Sequence, residues 1–116
     1  MNPVTMYHNP RCSKSRQTLT LLNERDVEPE LVLYLETPPT TQELKALLDK
    51  LGLKARQLLR TKEAAYRELG LDDPDKTDAE LLEAMHQQPI LIERPIVVVG
   101  ERAAIGRPPE NVLELL

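Results

Sequence analysis

The sequence predicts an α/β fold in which helices pack on a four-stranded mixed sheet, with a helical insert at about residues 40–88. Three observations support this prediction: a β-α-β pattern at the start of the chain, helix signals through the middle, and two short apolar runs near the end. A chain of 116 residues is long enough to bury its own core, so we expect one domain, residues 1–116.

The β-α-β opening consists of two strand-like runs and the helix between them. "VTMYH", residues 4–8, is rich in β-branched and aromatic residues and ends at an Asn-Pro pair, as strands often do. Leucines one turn apart predict a helix over residues 13–24, and "LVLYL", residues 31–35, predicts the second strand. Cys12 therefore lies in the turn that begins the first helix.

The middle of the chain carries two capping boxes. Thr40 with Glu43, and Thr77 with Glu80, have the spacing at which a side chain caps the first turn of a helix. Between them, residues 55–69 also have helical character, so the whole insert is predicted to be helical.

The C-terminal part predicts a hairpin and a closing helix. Residues 94–106 form two strand-like runs joined at Gly100, and two prolines then suit the first turn of a helix that buries Val112, Leu113 and Leu116. A parallel pair of strands plus an antiparallel pair gives the mixed sheet of the thioredoxin-like fold.

Composition excludes several function classes. The net charge is −4, yet residues 1–25 carry four basic residues and one acidic residue, which favours a small anionic ligand over a polyanion. With three tyrosines and no Phe or Trp, the chain offers no stacking platform for nucleic acid. No run of about 18 apolar residues predicts a membrane span. The single cysteine and the lack of a recognisable secretory signal favour a cytoplasmic location.

Cys12 is the candidate nucleophile. At a helix N-terminus it would meet unpaired N–H groups of residues 13–15, and the helix dipole favours a thiolate. Arg11, Lys14 and Arg16 surround it, whereas an inert cysteine is usually buried among apolar neighbours. The alternative, a buried structural cysteine, stays open at this point.

Spacing excludes two familiar cysteine sites. A phosphatase-type loop needs an arginine six positions after the cysteine, where this chain has Thr18, and a Cys-x-x-Cys dithiol needs a second cysteine where it has Ser15. An oxidised Cys12 must therefore be resolved by an external thiol such as glutathione.

Two histidines and one cysteine at distant positions do not predict a metal site. His8 either tunes the pKa of Cys12 as a neighbouring charge or is hydrogen-bonded locally at a strand end.

The motifs "YHNPRCSKSR", "YLETPPT", "LLR", "ERPIVVV" and "IGRPPE", taken in order, resemble the ArsC family of glutaredoxin-linked arsenate reductases, and most of all its short YfgD-like branch. The resemblance implies that Cys12 attacks arsenate and that Arg60, Arg94 and Arg107 hold the oxyanion. Apart from the resemblance, His8 and Ser15 are expected to tune the pKa of Cys12 or to support the site. The resemblance also implies a cis-proline at Pro95.

The resemblance further implies the partners: arsenate or a similar oxyanion as substrate, glutathione as co-substrate, and glutaredoxin to resolve the mixed species and release arsenite, with no bound cofactor. This chain has Arg11, Ser13 and Lys14 around the cysteine, where better-known reductases have small residues. We expect this difference to affect which anion the site binds. Two alternatives are a monothiol glutathione-dependent protein oxidoreductase and a regulatory protein like the Spx-type relatives. The absence of a Cys-x-x-Cys switch counts against the second.

Overall fold

A computed structural model describes residues 3–116 of the chain, which group into two compact units. The first comprises the chain up to Thr37 together with Arg94–Leu116, and the second is Pro38–Glu93. The second unit contains the segment expected to form the helical insert. That the two units act as a single domain stays a prediction.

The first unit contains a four-stranded mixed sheet in the order β2-β1-β3-β4. The strands are β1 (Val4–Tyr7), β2 (Glu30–Val32), β3 (Ile96–Val99) and β4 (Arg102–Ile105). β1 pairs in parallel with β2 and antiparallel with β3, and β3 pairs antiparallel with β4. This topology confirms the predicted mixed sheet, including the parallel pair and the C-terminal hairpin.

The second strand is shorter than predicted. β2 ends at Val32, whereas the sequence predicted a strand over residues 31–35. The reason is a tight turn: the backbone N–H groups of Glu36 and Thr37 both donate to the carbonyl oxygen of Leu33, each at 2.9 Å. Tyr34 is almost fully buried within this turn, so the apolar pattern reflects burial rather than an extended strand.

The helix α1 (Ser13–Glu24) follows β1 as predicted. Its buried positions are Ser15, Thr18 and Leu22, which lie three or four residues apart on one face. That face covers the core of the first unit. The buried core residues are Met6, Leu22, Val97, Val112 and Leu115.

The second unit is helical, as predicted, but its middle helix is interrupted. The helices are α2 (Thr41–Leu51), α3 (Ala55–Leu58), α4 (Ala64–Glu68) and α5 (Asp78–Gln87), followed by a short 3-10 helix, Pro89–Leu91. Both predicted capping boxes are present, at the starts of α2 and α5. None of the helices within residues 3–116 is long and apolar enough to cross a membrane.

The prediction of one continuous helix over residues 55–69 is wrong. The N–H of Arg60 donates to the carbonyl oxygen of Leu91 at 2.8 Å, and the N–H of Glu93 donates to that of Leu58 at 2.9 Å. These two bonds flank a short antiparallel bridge between Leu59 and Ile92. The long-range bridge takes backbone groups that a continuous helix would use itself, so the chain stays extended between α3 and α4.

The closing segment is a 3-10 helix, Pro109–Leu115, and this changes which leucines are buried. The predicted burial of Val112 is confirmed, but Leu115 is buried instead of Leu116, which is 52% exposed, and Leu113 is only partly buried. A 3-10 helix has three residues per turn, so Pro109, Val112 and Leu115 share one face. The prediction assumed the α-helical period and was wrong for this reason.

This difference gives a matched pair of variants. We expect Leu115→Ala to lower the free energy of unfolding by about 2 kcal/mol or more, because it removes a buried side chain from the core. Leu116→Ala, one residue further, should change it by less than about 0.5 kcal/mol. Urea denaturation followed by circular dichroism measures both, and equal effects of the two variants would contradict the 3-10 assignment.

Candidate active site

Cys12 occupies the residue position immediately before α1. Its N–H donates to the carbonyl oxygen of Asn9 at 3.0 Å, and its own carbonyl oxygen accepts the first helical hydrogen bond, from the N–H of Arg16. The N–H of Arg11 donates to Oδ1 of Asn9 at 3.0 Å, which closes the turn that leads into the helix. The side chain of Cys12 is largely buried, with 8% of the residue exposed.

The surroundings of the Cys12 sulfur favour the thiolate. Burial by itself raises the pKa of the thiol, but the backbone N–H groups of Ser15 and Lys14 stabilise the charged form. The positive charges of Arg94 and Arg107 act in the same direction, so the pKa of Cys12 is lowered overall. A buried structural cysteine would have the opposite shift, because nothing would offset the loss of solvent.

Arg107 reaches the sulfur directly. Its Nη2 lies 3.8 Å from Sγ of Cys12, while its Nε donates to the carbonyl oxygen of Arg94 at 2.8 Å. The peptide bond between Arg94 and Pro95 is cis, and so is the bond between Arg107 and Pro108, which the sequence analysis did not expect. The two arginines are thus held together on the chain segments that flank the β3–β4 hairpin.

His8 and Ser15 form a buried polar pair beside Cys12. Nδ1 of His8 lies 2.6 Å from Oγ of Ser15, and the N–H of Asn9 donates to the same oxygen at 3.0 Å. Burial and the charge of Arg16 lower the pKa of His8, which favours the neutral form of its ring. This geometry favours the local hydrogen-bonding role of His8, in which it fixes the side chain of Ser15 and with it the first turn of α1.

The basic residues next to Cys12 in sequence lie on the surface. Arg11, Lys14 and Arg16 are exposed, and Nη1 of Arg16 donates to the carbonyl oxygen of Pro10 at 3.0 Å. The charges that lower the pKa of Cys12 come from distant arginines instead. These distant arginines could not be found from the residues next to Cys12, whereas the "ERP" and "GRP" motifs of the family resemblance indicated them.

Arg60 belongs to the second unit, where it lies between α3 and α4. Its Nη1 lies 2.9 Å from Oε1 of Glu63, so its guanidinium group is ion-paired within that unit. Glu63 was not among the candidate site residues, although its i, i+3 spacing from Arg60 could have indicated the pair. Within the described part of the chain, no group of His, Cys, Asp and Glu side chains is arranged to hold a metal ion.

The sheet order, the single cysteine at the start of α1 and the cis bond before Pro95 define a thioredoxin-like protein with a monothiol site. The ArsC family model matches residues 7–115, and the chain belongs to the ArsC family.

Three relatives show how close this similarity is. The chain is 56% identical to YfgD of Escherichia coli K12 over 114 residues, which cover 97% of this chain and 96% of YfgD. It is 50% identical to a protein named arsenate reductase from Neisseria meningitidis serogroup A, with both chains fully covered. The solved structure of an arsenate reductase from Vibrio cholerae superposes with a TM-score of 0.97, at 51% identity, covering 99% of this chain and 98% of the other.

The electrostatics of the site predict the titration of Cys12. The rate of alkylation by iodoacetamide should rise with pH through a midpoint below 9.0, the ordinary value for the thiol, because the thiolate is the reacting form. Arg107→Ala should move this midpoint upward, since it removes a positive charge 3.8 Å from the sulfur. Arg25→Ala makes the same charge change just beyond the far end of α1 and should leave the midpoint in place. An unshifted midpoint in Arg107→Ala would contradict the assignment.

Proposed function

We propose that this protein is an arsenate reductase in which Cys12 is the nucleophile. The proposal depends on one observation: the sulfur of Cys12 lies at the N-terminal end of α1, and Nη2 of Arg107 is 3.8 Å from it. A thiolate beside a fixed cation and backbone N–H donors suits attack on a tetrahedral oxyanion, because the same donors that stabilise the sulfur attract the oxygens of the substrate.

Arginine is well suited to hold arsenate. Its planar fork carries a permanent charge and several fixed N–H donors, which match the oxygens of a tetrahedral anion. Arg94 and Arg107 are positioned together by the hydrogen bond from Nε of Arg107 to the carbonyl oxygen of Arg94. By resemblance to the family, we assign Arg60 as the third arginine of the oxyanion site. Relatives that carry the name arsenate reductase support the same substrate.

The proposed reaction begins with attack of the Cys12 thiolate on arsenic(V). A sulfur–arsenic bond forms, one arsenic–oxygen bond breaks, and that oxygen leaves as water after taking up protons. Glutathione then forms a second sulfur–arsenic bond as another oxygen leaves as water, and the glutaredoxin thiol attacks the glutathione sulfur, so that these two thiols become one mixed disulfide and arsenic gains two electrons. Hydrolysis of the remaining sulfur–arsenic bond frees the Cys12 thiol and releases arsenite. Arg94 and Arg107 offset the negative charge on the oxygens throughout.

The need for external thiols follows from the site itself. Cys12 is the only cysteine in the sequence, and at the position of a resolving thiol Ser15 uses its hydroxyl oxygen in the buried pair with His8. The second electron donor must therefore come from another molecule, for which we propose glutathione and glutaredoxin. Reduced glutathione is a cytosolic thiol, so we also propose a cytoplasmic location.

The direct test is a coupled assay with glutathione, glutaredoxin, glutathione reductase and NADPH. We expect arsenate-dependent loss of NADPH with the wild type and none with Cys12→Ser. Arg94→Ala should lower kcat/KM by about 10²–10³-fold, the loss typical when one donor to a developing oxyanion is removed. Arg25→Ala serves as the charge-matched control and should retain full turnover.

Absence of arsenate turnover by the wild type would overturn the proposal. If Cys12 then still reacted readily with glutathione disulfide, and the protein cleaved protein–glutathione mixed disulfides, the alternative of a monothiol glutathione-dependent oxidoreductase would replace it. That activity needs Cys12 and a glutathione groove but not all three arginines. Arg60 is not among the charges that lower the pKa of the thiol, so Arg60→Ala should impair arsenate reduction and spare the oxidoreductase activity, which distinguishes the two functions.

The ion pair between Arg60 and Glu63 makes a prediction about substrate affinity. An oxyanion bound by Arg60 must compete with the carboxylate that lies 2.9 Å from its Nη1. Glu63→Gln should therefore lower KM for arsenate, by about 1.5- to 5-fold for a partly exposed pair. Glu68→Gln makes the same charge change at an exposed position of α4 and is the control. An equal effect of the two variants would indicate general charge rather than competition at Arg60.

A further inference from the structure

The chain passes α1 at very close range just before Arg107. Gly106 follows the last residue of β4 and is buried, and its N–H donates to the carbonyl oxygen of Pro95 at 2.9 Å. A Cβ atom placed on Gly106 would lie 2.5 Å from Oγ1 of Thr18 and 2.9 Å from Cγ of Pro95. Both distances are well below the 3.5–4.0 Å at which non-bonded carbon atoms normally pack.

Thr18 is fixed in place and cannot easily yield. It is fully buried on the inner face of α1, and its hydroxyl donates to the carbonyl oxygen of Lys14 at 2.8 Å. Lys14 is one of the residues whose backbone N–H stabilises the Cys12 thiolate. The contact between Gly106 and Thr18 therefore joins the turn that carries Arg107 to the first turns of the helix that carries the thiol.

We propose that Gly106 and Thr18 are positioning residues whose close approach sets the distance between the Arg107 guanidinium and the Cys12 sulfur. The absence of a side chain at Gly106 lets the chain after β4 reach α1, and the next residue then places Nη2 3.8 Å from Sγ. This separation is already near the outer limit of a hydrogen bond to sulfur, and moving a Cβ at Gly106 from 2.5 Å to an ordinary contact distance from Oγ1 of Thr18 needs a shift of about 1 Å, which would lengthen it. The link to oxyanion binding rests on the proposed function, whereas the link to the thiolate does not.

The experiment uses the purified full-length protein and measures iodoacetamide alkylation of Cys12 against pH, without and with arsenate or phosphate as a protecting anion. In Gly106→Ala, we expect the midpoint to shift upward. At a pH below the midpoint, alkylation should be slower by roughly 1.5- to 5-fold. This range corresponds to moving a unit charge from 3.8 Å to about 4.8 Å from the sulfur at effective dielectric constants between about 80 and about 20. Protection by either anion should weaken in parallel.

Two further variants separate positioning from loss of stability. Thr18→Ala combined with Gly106→Ala removes both Thr18 atoms that a Cβ would meet, so it should recover part of the wild-type midpoint. Gly52→Ala strains a backbone with a φ of +69°, where a Cβ meets nothing within 4 Å, so it should lower stability without moving the midpoint. A structural role alone would not produce recovery by Thr18→Ala.

A folded Gly106→Ala protein with the wild-type midpoint would overturn the proposal, and so would a double variant that recovers nothing. If Gly106→Ala alone does not fold, the double variant is compared with Thr18→Ala. Because Cγ of Pro95 would still lie 2.9 Å from the new Cβ, the midpoint of the double variant should stay above that of Thr18→Ala, and equality would refute the role. Alkylation needs no turnover, so a wild type that does not reduce arsenate would refute the proposed function and leave this test valid.

Discussion

The contact between a buried sulfur and the open end of α1 governs the rest of this site. Burial opposes ionisation of Cys12, so a thiolate can form only where other groups outweigh the loss of water. The first turn of α1 provides backbone N–H groups that have no partner within the helix, and the two arginines around the β3–β4 hairpin provide charge. The turn at Asn9, the buried pair of His8 and Ser15, and the close approach at Gly106 all keep these groups in place.

Local signals in the sequence were sufficient for much of the fold. The capping boxes at Thr40 and Thr77 begin helices because their side chains and backbone act within four residues. The interruption between α3 and α4 could not be predicted in this way, because it depends on the bridge between Leu59 and Ile92, more than thirty residues apart. The choice of Leu115 over Leu116 depended on a 3-10 period, which the apolar pattern alone does not distinguish from the α-helical period.

In the candidate site, too, features set by neighbouring residues could be predicted from the sequence, whereas features set by distant residues could not. The position of Cys12 before α1 followed from the β-α-β pattern, but the exposed Arg11, Lys14 and Arg16 were misleading neighbours. The pKa of the thiol depends on Arg94 and Arg107, which are some eighty and ninety-five positions away in sequence, and only the resemblance to a family indicated them. Gly106 has no side chain and therefore no reactive group, so a search for patterns of reactive residues could not have identified it.

The thiolate of Cys12 is stabilised in part by backbone N–H groups at the start of α1, and these groups do not depend on the side chains of their residues. A substitution at Lys14 alters an exposed side chain but leaves in place the peptide N–H that stabilises the thiolate, and proline alone among the twenty residues removes it. The exposed side chains around Cys12 are therefore free to vary in charge and size while the reactivity of the sulfur is preserved. The side chains that meet an approaching molecule and the backbone groups that stabilise the sulfur are thus separate parts of this turn.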